Sequence, residues 1–420
     1  MKPFELLARH FSSKIDRLDW KYLCDPSNRL KLIDNIARRK GVGDIDAVCT
    51  LKSEFESSNN DRKEEIHDEL LTLALRIPNR SHPALSKGDN TPKTVKTMGT
   101  RKNYDFEPAR FESLAKKWKL TRTDTSLFTG PRSYYLLDQL ADLEAALVNY
   151  SVSVLKSKGF QLISVPDILP REIIEDCGMD TRGPRSQVYT LEGKHPNDDL
   201  CLSGTAEMGI SYYLKDKSIP ASDLPLKIAA VSRCFRAETS KISEERGIYR
   251  VHQFTKVEMY GVYRPADSAD GLDEFTQIQE EIYGNLGLEL RVLDMPECEL
   301  GAQAYRKFDV EAFMPGKRMW GEVSSASDCT DYQSRRLNLT TDEGLFPHTI
   351  NGTACAIPRI IIALTETHQT RDGTIELPPC LVPYLGYDKI ARSRLPKVVS
   401  CKPKEQDWRN SVEERDKITA

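Results

Sequence analysis

The spacing of apolar residues predicts two amphipathic helices in the N-terminal third of the chain. Residues 29–40 and residues 61–77 both place leucine and isoleucine side chains on one face at helical spacing. Glycines follow the first segment and Pro78 follows the second, so each helix has a clear end. We expect the two helices to pack together as a short helical hairpin.

The pattern changes beyond this predicted hairpin. Residues 81–100 are rich in Ser, Thr, Lys, Pro and Gly, which is typical of a linker. From residue 130 onward, helical and strand patterns mix without regular βαβ alternation, and this favours an α+β fold with a largely antiparallel sheet. Helices are predicted at 136–155 and 357–366. Strands are predicted at 160–165, 228–238, 248–262, 288–293 and 307–313.

Positive charge is concentrated near the N-terminus. The 420 residues include 60 Lys and Arg against 63 Asp and Glu, a net charge of −3. Residues 1–124 hold 25 basic and 19 acidic residues, a balance of +6, whereas the remainder holds 35 and 44, a balance of −9. The near-neutral total argues against a protein that coats nucleic acid indiscriminately, but a basic module could still bind a particular anionic partner. No apolar run approaches the roughly 20 residues that a membrane-spanning helix needs, so we expect no membrane association.

Both ends of the chain have distinctive compositions. Residues 1–17 form a weakly amphipathic basic segment, which is either a candidate targeting segment or an ordinary N-terminal helix. Residues 388–404 contain six basic residues and one acidic residue, with prolines at 396 and 403. This composition predicts a flexible basic tail over residues 387–420, which either solubilises the protein or contacts nucleic acid.

The ten cysteines lie far apart in the sequence, and no two have C-x-x-C spacing. The absence of C-x-x-C spacing excludes the usual zinc-knuckle and dithiol-redox motifs. We expect the cysteines to be unpaired thiols that act as small apolar residues in a reducing compartment.

The segment from residue 228 to residue 260 carries the most informative chemistry. It predicts two strands joined by a charged loop, with Arg236 and Glu238 on one face of the first strand. On the second strand, period-2 alternation places five side chains on one face: Arg250, His252, Phe254, Lys256 and Glu258. Arginines suit polyphosphate and carboxylate groups, and an aromatic ring suits a base. The alternative is the solvated face of an amphipathic hairpin, and by itself His252 is predicted to be a hydrogen-bonded structural residue.

The residues of this segment resemble motif 2 of class II aminoacyl-tRNA synthetases, and more narrowly of seryl-tRNA synthetases. The resemblance lies in CFRAE at 234–238 and RGIYRVHQFTKVE at 246–258. Further elements follow the family's order: motif 1 at 159–170, the serine-binding T-x-E at 205–207, the metal-binding strand at 321–336 and motif 3 at 351–359. The residues of these elements are most similar to those of the animal mitochondrial members of the family.

The resemblance implies a class II antiparallel sheet flanked by helices and preceded by a short helical hairpin arm. It implies a tRNA-binding arm with its linker at 18–100, a catalytic domain at 101–386 and the basic tail at 387–420. It also implies a homodimer that forms around Pro166. The family's usual arm is a much longer coiled coil. A shortened arm, together with the tail and Arg38, Arg39, Lys40, Arg101 and Lys102, would suit a compact mitochondrial tRNA.

The resemblance also implies roles for individual residues. ATP would be bound by Arg236, Ala237, Glu238, Arg250, Val251, Phe254, Glu322, Val323, Ser324, Ser325 and Arg359. Serine would be bound by Thr205, Ala206, Glu207, Arg236, Glu258 and Thr353. Arg236 and Arg359 would be the catalytic residues, while Glu322 and Ser325 would hold Mg²⁺ through hard oxygen ligands. Phe254 would stack on adenine, with Arg359 on the other face of the ring.

The implied function is serine–tRNA ligation in the mitochondrial matrix. Serine would be activated with ATP to seryl-adenylate, and the seryl group would then pass to the 3′ end of tRNA(Ser). One alternative is a non-catalytic paralogue that acts as a binding or regulatory protein, and a weaker one is a ligase that loads a carrier protein. Motif 3 departs from the common pattern, because Ala354 and Ala356 stand where glycines are usual and Pro358 precedes the arginine.

Overall fold

A computed structural model describes residues 14–85, 89–123, 132–183, 186–193, 199–238 and 247–395. Its helices, in chain order, are α1 (Trp20–Leu23), α2 (Arg29–Arg38), α3 (Ile45–Ser57), α4 (Asn60–Leu75), α5 (Phe111–Trp118), α6 (Gln139–Ser157), α7 (Arg171–Asp176), α8 (Ala206–Leu214), α9 (Ser268–Asn285), α10 (Tyr332–Leu337), α11 (Ile357–Thr367) and α12 (Val382–Leu385). None of these helices combines the length and the apolar composition that crossing a bilayer requires.

The strands, in chain order, are β1 (Lys93–Met98), β2 (Thr121–Arg122), β3 (Tyr135–Leu136), β4 (Gln161–Ile163), β5 (Ile168–Pro170), β6 (Leu200–Leu202), β7 (Ser218–Ile219), β8 (Leu226–Phe235), β9 (Gln253–Tyr263), β10 (Leu290–Asp294), β11 (Arg306–Met314), β12 (Met319–Thr330), β13 (Thr340–Thr341), β14 (His348–Ala356), β15 (Ile375–Glu376) and β16 (Lys389–Ile390). Eight of them form one sheet in the order β1-β10-β11-β12-β14-β9-β8-β4. The β4–β8 pair is parallel and the other neighbours are antiparallel. The predicted α+β fold with a largely antiparallel sheet is confirmed.

Three long helices bury the central strands. Helices α6 and α11 pack on each other and against β9, while α9 packs against β12 and β14. Their apolar side chains form one core with the sheet, and Leu147, Phe275 and Ile361 are fully buried within it. Because helices and neighbouring strands cover β9 and β14, most residues of these two strands are buried. Polar side chains on these strands therefore need specific partners.

The N-terminal module contains the two predicted helices, α2 and α4, but the predicted hairpin is wrong in one respect. The antiparallel partner of α4 is α3, which the sequence pattern did not reveal. Helix α3 begins at Asp44, whose side chain accepts hydrogen bonds from the backbone N–H groups of residues 46 and 47. On α3 only Ile45 and Val48 are buried, while Cys49, Leu51 and Phe55 pack half-buried against the same core.

The predicted linker at 81–100 is also partly wrong. Residues 93–98 form β1, the edge strand of the large sheet, which pairs with β10. The side chains of this strand are almost all exposed, so the sequence lacks the alternation of a half-buried strand. The backbone hydrogen bonds to β10, rather than side-chain burial, place this segment in the large sheet.

Residues 14–19 form a strap that joins the N-terminal module to the large domain. The Nζ atom of Lys14 lies 2.8 Å and 2.9 Å from the two carboxylate oxygens of Asp176, and 2.6 Å from Oε1 of Glu172. The Arg17 Nε atom donates to the carbonyl oxygen of Arg335 at 2.9 Å. The last residues of the candidate targeting segment thus belong to the folded protein, whereas residues 1–13 lie outside the described residues.

The beginning of the predicted basic tail is ordered. Residues 389 and 390 form β16, which pairs with β15, and Ile390 is fully buried. This part of the tail prediction is therefore wrong, while residues 396–420 lie outside the described residues. The nine cysteines among the described residues are all unpaired, as predicted. Cys401 lies outside them.

Candidate active site

A cavity of about 320 Å³ opens between the central strands. Ten of the eleven residues predicted to bind ATP line it, and so does Thr353 from the predicted serine set. Ala237 does not line the cavity, and its backbone N–H donates to the carbonyl oxygen of Gln187 at 2.9 Å. Larger cavities of about 450 Å³ and 740 Å³ are lined by other residues. We place the candidate active site in the smaller cavity because the chemistry predicted from the sequence converges there.

Strand pairing brings the two halves of motif 2 together. Antiparallel pairing places Phe254 opposite Cys234 and Glu258 opposite Ala230. Arg236 and Glu238 follow directly after β8, beside the start of β9. The second predicted strand begins later than expected, at residue 253, so residues 248–252 are not part of it. The Nδ1 atom of His252 lies 2.8 Å from the Tyr189 hydroxyl and 3.2 Å from the Arg236 carbonyl oxygen, which suits the predicted structural role.

An ion pair between Arg359 and Glu322 lies at one wall of the cavity. Arg359 Nη1 is 3.1 Å from Glu322 Oε2 and also donates to the Glu322 carbonyl oxygen at 3.0 Å. Burial alone would raise the pKa of Glu322, but the charges of Arg359, Lys307 and Arg236 lower it to about 2. Glu322 is therefore ionised at neutral pH, and 39% of its side chain is exposed.

Two aromatic rings support the arginines of the cavity. The Arg236 guanidinium carbon lies 5.4 Å from the centre of the Phe254 ring, and that of Arg359 lies 4.7 Å from the centre of the Tyr249 ring. These contacts are within the range of a cation–π interaction. The predicted enclosure of adenine between Phe254 and Arg359 stays a prediction, because Arg359 here packs against Tyr249.

Glu238 has an unusual backbone conformation. Its φ angle is +45°, in the left-handed region that residues other than glycine rarely adopt. Its N–H donates to Gln187 Oε1 at 2.7 Å, and its carboxylate lies 3.4 Å from Arg250 Nη1 and 3.7 Å from Arg132 Nη1. These contacts hold the carboxylate at the cavity wall, and the family resemblance implies that Glu238 binds the adenine end of ATP there.

The predicted serine residues form a buried polar pocket beside this cavity. Thr205 caps the N-terminus of α8 and accepts a hydrogen bond from the N–H of Glu207. Glu207 Oε1 accepts hydrogen bonds from Gln333 Nε2 at 2.6 Å and Asn351 Nδ2 at 2.9 Å. Burial and the neighbouring Glu258 raise the pKa of Glu207 to about 7, despite these two hydrogen bonds. A cationic group that entered the pocket would favour the ionised form of Glu207.

A second chain of contacts joins the pocket to the cavity. The Thr205 hydroxyl donates to Glu258 Oε2 at 2.9 Å, and Lys256 Nζ donates to the same hydroxyl oxygen at 2.8 Å. Lys256 and Glu258 also form a buried ion pair. Thr353 lies opposite Glu258 across the β9–β14 pairing and lines the cavity. The predicted Ala206 is buried at the start of α8 and packs in an apolar cluster with Ile210 and Tyr260.

Sequence reasoning missed several residues of the site. Gln333 on α10 receives hydrogen bonds from Thr349 and Tyr260 and passes one on to Glu207. Its partners lie far away in the sequence, so no local pattern could have revealed it. Asn351 stands at the first position of the segment matched to motif 3, and that placement was a usable signal. Lys256 was on the predicted charged face but received no role.

Comparisons with known proteins identify the family. Residues 189–368 match the family model described as the tRNA synthetase class II core domain (G, H, P, S and T). A serine–tRNA ligase from Treponema denticola is 38% identical to this chain over 381 residues, which cover 88% of this chain and 86% of that protein. The chain belongs to the seryl-tRNA synthetase family. The class II fold predicted from the motifs is thereby confirmed.

Two further relatives define the extent of the similarity. A mitochondrial serine–tRNA ligase from Mus musculus is 45% identical over 334 residues, which cover 78% of this chain and 64% of that protein. This chain therefore matches slightly less than two thirds of the mouse protein. The crystal structure of the family member from Pyrococcus horikoshii, complexed with ATP, superposes with a TM-score of 0.75 at 27% identity and covers 92% of each chain.

Proposed function

We propose that this chain is a serine–tRNA ligase. The observation that carries the proposal is the continuity of the two sites. The buried pocket that contains the Glu207 carboxylate adjoins the cavity lined by arginines, and Arg236 lies between them. Arg236 lines the cavity, while its Nε and Nη2 atoms donate to the carbonyl oxygen of Gly204, the residue before Thr205. One guanidinium can thus contact both the carboxylate of an amino acid and the α-phosphate of a nucleotide.

The reaction then follows from position and charge. The ammonium group of serine would bind Glu207 and Thr205, and its hydroxyl would bind Glu258 and Thr353. A carboxylate oxygen of serine attacks the α-phosphorus of ATP in line, the bond to the β-phosphate oxygen breaks, and pyrophosphate leaves. A ribose hydroxyl at the 3′ end of tRNA(Ser) then attacks the carbonyl carbon of seryl-adenylate and releases AMP. Neither step requires a side-chain nucleophile, because orientation and charge stabilisation supply the rate acceleration.

The residues present fit the predicted magnesium site. Glu322 is ionised and Ser325 lines the same cavity, so a carboxylate and a hydroxyl oxygen are available as hard ligands. Bound there, Mg²⁺ would neutralise phosphate charge. Arg359 pairs with Glu322 in this structure and would turn to the phosphates when ATP occupies the cavity.

The pocket also accounts for the choice of serine. A site that hydrogen-bonds a substrate hydroxyl rejects an analogue without it, because the buried polar groups lose their partner. Glu258 and Thr353 are 2% and 6% exposed, so with alanine bound they would lose the hydrogen bond to the substrate hydroxyl and water could not readily replace it. Threonine would be excluded by its extra methyl group in a pocket closed by helices and strands.

The comparisons support ATP, tRNA and a mitochondrial location as parts of the proposal. The Pyrococcus horikoshii structure holds ATP, and the mouse relative is named as a mitochondrial ligase. We place this chain in the mitochondrial matrix on that basis. The buried pocket is intact, because Thr205, Glu207 and Glu258 all contact their partners. This favours the ligase over a non-catalytic paralogue.

We include a homodimer in the proposal. Strand β4 lies at the edge of the sheet, and the segment around Pro166 follows it. Leu162 and Ile168 in this segment are 43% and 51% exposed, although large aliphatic side chains are usually buried. A second copy of the chain that covered these side chains would form the family's motif 1 interface.

Serine-dependent exchange of pyrophosphate into ATP tests the proposal, with all other amino acids as controls. We expect exchange with serine alone, followed by charging of tRNA(Ser) by the same preparation. A well-folded protein that supports no exchange with serine would contradict the ligase assignment and favour the non-catalytic paralogue. Exchange without charging of any tRNA would favour the ligase that loads a carrier protein.

A further inference from the structure

Lys307 lines the nucleotide cavity, but none of the matched motifs assigns it a role. It lies on β11, next to the metal-binding strand β12. Its Nζ atom donates to Asp309 Oδ2 at 2.9 Å. The Lys307 side chain is 20% exposed and that of Asp309 is 7% exposed, so the pair is largely removed from solvent. An ion pair in this position costs desolvation energy and is weak evidence for a purely stabilising role.

The sheet places this pair beside the predicted magnesium ligands. Lys307 and Asp309 are two residues apart on β11, so they share one face of the sheet. The β11–β12 register places Asp309 opposite Ser325, and Glu322 lines the same cavity as Lys307. The ammonium group therefore lies on the side of the cavity where the phosphates and their metal ion are expected.

The hydrogen bonding of the pair is incomplete. An ammonium group has three donors, and within the described residues Lys307 uses one of them, toward Asp309. Within the same residues, the buried Oδ1 atom of Asp309 has no hydrogen-bond partner. Asp309 thus holds Nζ at the cavity wall while leaving donors for an anionic ligand.

We propose that Lys307 contacts the β- and γ-phosphates of ATP and that Asp309 positions its ammonium group for this contact. This inference rests on the proposed function, because it assigns the phosphates to this side of the cavity. Lys307 would be a substrate-contacting residue in addition to Arg236 and Arg359. It would also bind the pyrophosphate that leaves, since the same phosphate groups form that product.

Binding of ATP and of AMP to the full-length protein separates this role from a structural one. AMP lacks the β- and γ-phosphates, so Lys307→Met should weaken binding of ATP roughly tenfold or more and leave the affinity for AMP within about twofold. Lys307→Arg should restore most of the affinity for ATP because it restores the charge. Asp309→Asn should reduce the affinity for ATP less than Lys307→Met does. Calorimetric titration measures all four affinities.

Lys227→Met is the matched control. Lys227 lies on β8 of the same sheet, its Nζ atom is 2.9 Å from Glu274 Oε1, and its side chain is 18% exposed. It does not line the nucleotide cavity. We expect this variant to bind ATP and AMP like the unmodified protein, even if its melting temperature falls. A matching fall in melting temperature for Lys307→Met is therefore no evidence for nucleotide contact.

The remaining outcomes overturn the inference. Equal loss of ATP and AMP binding in Lys307→Met would show a general structural role, and unchanged ATP binding would show no role. If Lys307→Met does not fold, Asp309→Asn still decides, because unchanged ATP affinity in that variant would contradict the positioning of Lys307 by Asp309. If the unmodified protein binds neither nucleotide, the proposed function fails together with the inference. If the unmodified protein binds both nucleotides and the Lys307 variants bind them as Lys227→Met does, the proposed function stands and the inference fails.

Discussion

The buried pocket around Glu207 and the cavity lined by Arg236 and Arg359, where we propose that serine and ATP bind, are built in opposite ways. In the pocket, Glu207 and Glu258 are buried and already hold fixed hydrogen bonds to neutral and charged neighbours. In the cavity, the charged groups pair with one another, as in Arg359 with Glu322 and Arg250 with Glu238. The pocket is preorganised for a small ligand, whereas the cavity must exchange its own ion pairs for those of the nucleotide. Selectivity should therefore reside in the pocket, and the largest rearrangement should occur in the cavity.

The largest expected effect comes from Arg236→Ala, which removes the group shared by both sites. We expect serine-dependent pyrophosphate exchange to fall by roughly 10²–10³-fold or more, because a lost transition-state donor has a cost of that size. Circular dichroism and the melting temperature should change little, since Arg236 is only partly buried. Exchange within tenfold of the unmodified protein would contradict the shared role.

Glu207→Gln should affect the pocket alone. The substitution keeps the shape of the side chain but removes its charge, so we expect kcat/KM for serine to fall about 30-fold, while KM for ATP stays unchanged. The control is Glu366→Gln, since Glu366 is equally buried but accepts its hydrogen bonds from the backbone N–H groups of Phe111 and Lys317. That variant should lower the melting temperature without a specific change in KM for serine. Parallel changes in KM for both substrates of Glu207→Gln would break the distinction between the two sites.

Arg359→Ala should affect the cavity alone. It removes a guanidinium that pairs with Glu322 and faces the expected phosphates, so we expect KM for ATP to rise about tenfold. Serine binding in the absence of ATP should remain unchanged, since Arg359 has no contact with the pocket residues. Calorimetric titration with serine and steady-state exchange at varied ATP concentrations measure the two quantities. Loss of serine binding in this variant would show that the two sites are coupled.

The smallest predicted effect is a dependence of serine binding on pH. The ammonium group of serine prefers ionised Glu207, whose pKa is raised to about 7, so protonation below pH 7 should weaken binding. We expect KM for serine to increase about fivefold from pH 7 to pH 6 and KM for ATP to change less. In the free protein the sign for stability is opposite. The raised pKa stabilises the fold at low pH, and this contribution is lost as pH rises toward 7.

Proton release provides an independent measurement of the same event. Serine binding near pH 7 should release a fraction of a proton, and calorimetry in buffers of different ionisation enthalpy detects it. The Glu207→Gln variant should show neither the proton release nor the pH dependence. A pH dependence that persists in this variant would assign it to another group.

The residues that line the cavity were predictable because most of them lie in contiguous segments of the sequence. Motif 2 contains both strands of one hairpin, so Arg236 and Phe254 could be placed together from alternation and order along the chain. The serine pocket was predictable only in part, because Glu207 depends on Gln333, which lies 126 residues later on a short helix. Helix α3 and strand β1 were missed for a different reason. Nearly all side chains of β1 are exposed and only two on α3 are buried, so tertiary pairing rather than local pattern fixes their structure.

The strap of residues 14–19 has a consequence for the synthesis of the protein. The acceptors of Lys14 lie 158 and 162 residues later in the chain, and the carbonyl acceptors of Arg17 lie 318 and 319 residues later. At about 5–20 residues per second, the ribosome needs roughly 15–60 seconds to reach the second set of partners. During that interval the strap cannot make its final contacts. The strap is therefore translated well before it can be fixed in place.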